Sequence, residues 1–147
     1  MTSVMPRPDI ESSIWITRPP AEIWNFMTDW SNETQWRNGV MEAKWTSEPP
    51  HGVGSTGLHI VEGIGDWPWK LTEWEEPYNV SWDVTGGPMK GGHAGYRVTP
   101  EDDGSRVMLH ARVKRPSLMG IIIPLMKGNM KRQMFADLEK LKAIMEA

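Results

Sequence analysis

The sequence predicts an α+β domain: a seven-stranded, curved antiparallel sheet wrapped around one long C-terminal helix, with two short helices between strands 1 and 2. Three observations carry this reading. An alternating segment from Glu11 to Arg18 runs into Pro19-Pro20 and then into an indole-rich stripe at helical spacing. Six further runs of strand character follow, each bounded by turn residues. The chain closes on Met126, Met130, Met134, Leu138, Leu141 and Met145, spaced by fours and threes.

Each element has its own signal. Residues 1–10 are polar and broken by proline, a flexible arm ahead of a single domain over residues 11–147. In the first strand Ile14 and Ile16 share one face, and Ser13, Trp15 and Thr17 the other. Pro20 suits a first helical turn and Glu22 lies where the helix dipole favours an anion, so a helix is predicted over residues 20–29. Ile23, Met27 and Trp30 form its stripe, flanked by Trp24 and Phe26. Asn32 and Gln35 have capping-box spacing, which predicts a second short helix through Trp36 or Arg37. Strands are then predicted over residues 40–47, 55–62, 67–75, 79–85, 92–99 and 105–114. Their short connections make the sheet antiparallel. In the closing helix Phe135 and Ile144 widen the apolar stripe, and Lys127, Lys131, Lys140 and Lys142 lie mostly off it.

Composition narrows the function. A chain of 147 residues is one domain with room for a core of its own. A formal net charge of −3 argues against a nucleic-acid partner, although Lys and Arg crowd the last third. No cysteine is present, which excludes disulfides, thiolate nucleophiles and cysteine-based zinc sites and suits a reducing cytoplasm. The longest apolar run, Leu118 to Met126, is interrupted by Gly120 and Pro124 and falls short of the ~20 residues a membrane span requires. Nine Trp and eleven Met are the outliers. Such side chains either fill an indole-rich core or line a cavity.

The order of elements resembles the helix-grip fold of the START-like, or SRPBCC, superfamily, which includes the birch-pollen-allergen proteins and the polyketide cyclase/dehydrase-like proteins. The carrying residues are Ile16-Thr17-Arg18-Pro19-Pro20-Ala21-Glu22-Ile23-Trp24 with Asp29, then Trp36-Arg37-Asn38-Gly39-Val40 and Gly52-Val53-Gly54-Ser55. Thr72-Glu73-Trp74-Glu75-Glu76-Pro77, Tyr96-Arg97-Val98-Thr99-Pro100 and Leu138-Glu139-Lys140-Leu141-Lys142 complete the pattern. The resemblance spans roughly residues 11–147. It implies an apolar cavity between the concave sheet face and the C-terminal helix, and a family of carriers, cyclases and stress proteins.

Strand alternation assigns side chains to that cavity. Trp67, Trp69, Leu71 and Glu73 share a face of one strand; Val80, Trp82 and Val84 share a face of the next. The ligand-cavity set is Trp45, His59, Trp69, Leu71, Trp82, Tyr96 and Leu109 from the sheet, with Met126, Met130 and Met134 from the helix. The plainer alternative is that these side chains simply fill the interior. Trp24, Trp30 and Trp36 read as core and rim.

Acid/base chemistry needs a carboxylate or imidazole inside the cavity. Glu73 and His59 are the candidates; the alternative for Glu73 is a strand-end carboxylate paired with Arg or Lys, and the facing of His59 depends on whether the Gly-rich entry at residues 52–57 shifts the register. His51 lies in a loop, and His93 and His110 alternate away from the cavity. No histidine pairs with another at metal-ligand spacing, so no metal is expected. Gly63-Ile64-Gly65 and Gly86-Gly87 lack the strand-then-helix context of a nucleotide motif, and no cofactor is expected. Leu118 to Pro124 reads as a buried helix lead-in, a lid or a homodimer contact. The leading functional reading is binding of a small hydrophobic, aromatic or lipid-like ligand. A polyketide cyclase/dehydratase-type enzyme and a protein-partner module are the alternatives.

Overall fold

The computed structural model describes residues 10–113 and 123–147, the side chains of residues 123–127 excepted. Seven strands form one antiparallel sheet in the order β1-β7-β6-β5-β4-β3-β2. They are β1 (Ile10–Ile16), β2 (Val40–Trp45), β3 (Thr56–Val61), β4 (Gly65–Glu75), β5 (Asn79–Val84), β6 (His93–Glu101) and β7 (Gly104–Arg112). Helices α1 (Pro20–Thr28) and α2 (Glu33–Trp36) connect β1 to β2, and α3 (Ile123–Glu146) closes the chain. This is the architecture expected from the sequence. The Met126 side chain and most of the Leu118–Pro124 lead-in lie outside the described residues, as do residues 1–9 of the arm.

Local chemistry sets the path between β1 and β2. Pro20 opens α1, and Ile23, Trp24 and Met27 are its buried face. Asp29 stops the helix in an extended conformation and accepts from the backbone N–H and hydroxyl of Ser31. The chain then makes one turn of 3₁₀ helix, Trp30–Asn32, which drives Trp30 into the core. The expected capping box at Asn32 is absent. Its side chain donates instead to the Phe26 carbonyl and accepts from Gln35, spent on tying α2 back to α1.

Helix α3 packs along β1. Lys142 donates to the Trp15 carbonyl at 2.6 Å, and Glu146 accepts from the backbone and hydroxyl of Thr17. Leu138 and Leu141 are fully buried in the core. Phe135 departs from the expected stripe: it is 43% exposed, because Asp137 takes the inward position beside Leu138.

Two bulges matter for the site. One lies between Val40 and Glu42 in β2. The other lies in β4, where Leu71 pairs with Trp82 but Glu73 pairs with Ser81. One extra residue, Thr72, inverts the facing of the strand beyond it.

Candidate functional site

A cavity of about 210 Å³ lies between the concave sheet face, the C-terminal end of α2 and α3. Its apolar wall includes Val61, Trp67, Trp82, Val84 and Leu109 from the sheet and Met130 and Met134 from α3. Of the residues assigned from sequence, the structure brings His59, Trp82, Tyr96, Leu109, Met130 and Met134 to this wall.

Trp45, Trp69 and Leu71 do not line the cavity, and the reason is Trp30. Its indole packs edge-on against Trp45, Trp69 and Trp82 at centroid distances of 5.6, 5.1 and 5.8 Å. The 3₁₀ turn thus fills the part of the hollow over Trp45 and Trp69 with indoles, and the cavity lies beside that plug, walled by His59, Val61 and Trp67 as well as by β5–β7. Trp45 also stacks on His51 at 3.7 Å. Leu71 is buried in the same core.

The facing of Glu73 is corrected by the β4 bulge. Glu73 sits on the convex face, where Oε1 accepts from the Ser81 hydroxyl at 2.7 Å and Oε2 from the Asn79 amide at 2.8 Å. It has no access to the cavity. His93 shares that convex face and pairs with Asp83 at 2.8 Å.

His59 is inside, but its chemistry is committed. Trp69 Nε1 donates to His59 Nδ1 across 2.7 Å. A neutral imidazole has one lone pair, and this bond occupies it. The proton therefore sits on Nε2, which faces Glu33 Oε2 at 3.7 Å. An imidazolium would set N–H against N–H at Trp69.

One end of the cavity carries a polar chain of which sequence reasoning named Tyr96 but missed Arg37, Glu33 and Asp137. Arg37 donates from Nε to Asp137 Oδ2 at 3.2 Å and from Nη1 to the Tyr96 hydroxyl at 2.7 Å. Tyr96 in turn donates to Glu33 Oε1 at 2.6 Å. Asp137 Oδ1 accepts from the Asn38 N–H and the Gln133 side chain. Burial raises the Tyr96 pKa, opposed by Arg37 and reinforced by Glu33. Burial opposes the charge on Arg37, but Tyr96, Glu33 and Asp137 outweigh it and hold the guanidinium protonated. Two signals were legible: Asp137 falls between Met134 and Leu138 on the apolar stripe, and Glu33 follows Trp30 by three residues. A carboxylate on an apolar face needs a buried partner.

Among the described residues no three His, Cys, Asp or Glu side chains cluster as metal ligands. No described helix is long and apolar enough to cross a membrane.

A curved antiparallel sheet gripping a long helix over a walled hollow defines the START-like, helix-grip class. Residues 7–146 match the model of the polyketide cyclase / dehydrase and lipid transport family, and the chain belongs to that family. Solved structures agree in fold. A Thermobifida fusca protein superposes with a TM-score of 0.72 at 19% identity, covering 90% of this chain and 89% of its own. A Thermus thermophilus protein gives 0.72 at 16% identity, covering 91% and 94%. The Aha1 dimer from Colwellia psychrerythraea gives 0.66 at 18% identity, covering 93% and 95%. No match is found among curated proteins.

Proposed function

We propose that this protein binds a small hydrophobic, aromatic molecule in the cavity between the concave sheet face and α3. The observation that carries the reading is the cavity itself, about 210 Å³, apolar on most of its wall and polar at one end. Concave sites of this composition bind by burying apolar surface, with a few polar groups fixing orientation. The volume lies below the roughly 300–1,000 Å³ of drug-sized sites, which favours a guest of one or two fused rings over a long lipid chain.

Binding is favoured over turnover on one specific ground. Of the two acid/base candidates, Glu73 is on the far face and His59 has given its lone pair to Trp69, and the carboxylates at the polar end are engaged, Asp137 by Arg37, Asn38 and Gln133 and Glu33 by Tyr96. The lid and homodimer readings depend on the Leu118–Pro124 segment, largely outside the described residues. The cysteine-free chain suits a cytoplasmic location, the compartment we assign.

The test is titration with the neutral probe N-phenyl-1-naphthylamine, read by its own emission and by tryptophan quenching. Ala111 lines the cavity, so Ala111→Phe should fill it and weaken binding at least tenfold while circular dichroism stays unchanged. Equal affinity in the folded variant defeats the proposal.

A further inference from the structure

The polar end of the cavity also bears on the charge of the guest, an inference that rests on the ligand-binding reading above. Arg37 is the cationic donor there, and it is shared between Asp137 at 3.2 Å and the Tyr96–Glu33 pair through Nη1 at 2.7 Å. Asp137 is already filled by Arg37, the Asn38 N–H and Gln133. Glu33 is fully buried, and its Oε2 accepts no hydrogen bond among the described residues. His59 adds no charge, because Trp69 holds it in the neutral tautomer. His93 and Arg112 also line the cavity, but they lie opposite each other in register three residues along β6 from Tyr96, and His93 pairs with Asp83 at 2.8 Å, so neither belongs to the polar cluster. The cluster therefore carries two carboxylates against one guanidinium.

Arg37 still has hydrogens to offer. Its Nη2 donates to no described residue, and its side chain is 26% exposed. A guest oxygen can accept there. A carboxylate would have to lose its water beside two like charges, and Arg37 is already neutralised by Asp137. An uncharged carbonyl or phenol oxygen accepts the same N–H groups and meets no repulsion. We propose that the cavity selects an uncharged aromatic ketone or phenol over the matching carboxylate, with Arg37 Nη2 as donor and Glu33 and Asp137 as the charges that turn anions away.

The experiment compares 2-acetylnaphthalene with 2-naphthoate, nearly equal in size, at pH 7.5, by tryptophan quenching and calorimetry. The ketone is expected to bind at least tenfold more tightly, and Glu33→Gln to narrow that ratio to threefold or less. A carboxylate that binds as tightly as the ketone overturns this inference and leaves the ligand-binding reading standing. A ratio unchanged in folded Glu33→Gln also overturns it. Binding of neither probe overturns the cavity reading and this inference together. The wild-type ratio decides the matter if Glu33→Gln does not fold.

Discussion

Trp69 and His59 are joined by a 2.7 Å hydrogen bond from indole nitrogen to imidazole Nδ1. Both residues are buried, at 1% and 8% exposure. The bond decides the role of the histidine. It makes His59 a fixed, neutral wall residue, with its remaining N–H directed at Glu33. It also couples the indole plug to the cavity, because Trp69 packs on Trp30 on one side and bonds His59 on the other.

Trp69→Phe tests this coupling. The ring volume falls and His59 Nδ1 loses its donor in a buried setting. An unsatisfied buried acceptor costs roughly 1–3 kcal/mol, and the lost indole area adds to that. The expected result is a fall in the urea midpoint with unchanged slope. A double-mutant cycle with His59→Phe should show coupling of about 1 kcal/mol. Additive losses would mean the bond contributes nothing beyond packing.

Gly57 sets the position of the same indole. A Cβ built at Gly57 would meet Trp69 ring atoms at 2.0, 2.3 and 2.5 Å. The ring is rigid and hemmed in by Trp30 and Trp45. Gly57→Ala must therefore push the indole off its seat and stretch its bond to His59. The expected cost is about 1–3 kcal/mol, by analogy with overpacked cores, read as a lowered Tm. A thermal midpoint equal to wild type would show that the indole moves freely.

The fold was legible because its signals are local. Pro20, Asn38-Gly39, Pro49-Pro50 and the Met–Leu stripe of α3 each act through backbone geometry or periodicity. The site was less legible because it depends on register. One bulge at Thr72 moved Glu73 to the far face, and no residue type there announces it. Trp30 was assigned to core and rim from its stripe. Only the 3₁₀ turn after Asp29 places it in the centre, in the space expected for a guest. Arg37, Glu33 and Asp137 come from three separate stretches of chain, and their meeting is a tertiary fact. The buried carboxylates at positions 33 and 137 were the available hint, since neither belongs on an apolar face without a partner.

Tyr96→Phe probes the polar chain. It removes the hydroxyl that accepts from Arg37 and donates to Glu33. Hydrogen bonds to charged groups contribute about 1.5–3 kcal/mol, and Glu33 would be left buried with no donor. A loss in that range is expected in denaturant unfolding. Replacing the carboxylate as well, in Tyr96→Phe with Glu33→Gln, should recover part of the loss, because a neutral amide is cheaper to bury unpaired than an anion. If the double variant is less stable than Tyr96→Phe alone, the cost lies in packing and not in charge.

His110 supplies the pH dependence. It lies on β7, opposite Gly95, whose absent Cβ makes room for it: a Cβ there would meet His110 Nε2 at 2.7 Å. Burial pulls its pKa from 6.5 down to about 4, aided by Arg97 and His93 and opposed by Glu73. The folded protein therefore refuses a proton that the unfolded chain accepts. Stability is fully present above 6.5, declines as pH falls through that value, and stops declining near 4, where the folded state also protonates. The full effect is on the order of 3 kcal/mol. Gln cannot titrate, so His110→Gln should lose less stability than wild type between pH 7 and pH 4.5, by about 2 kcal/mol in urea unfolding. Glu101 and Glu146, both held at lowered pKa by their partners, titrate in both proteins and cancel in the comparison. Parallel losses in the two proteins would show that His110 is as easily protonated in the fold as in the open chain.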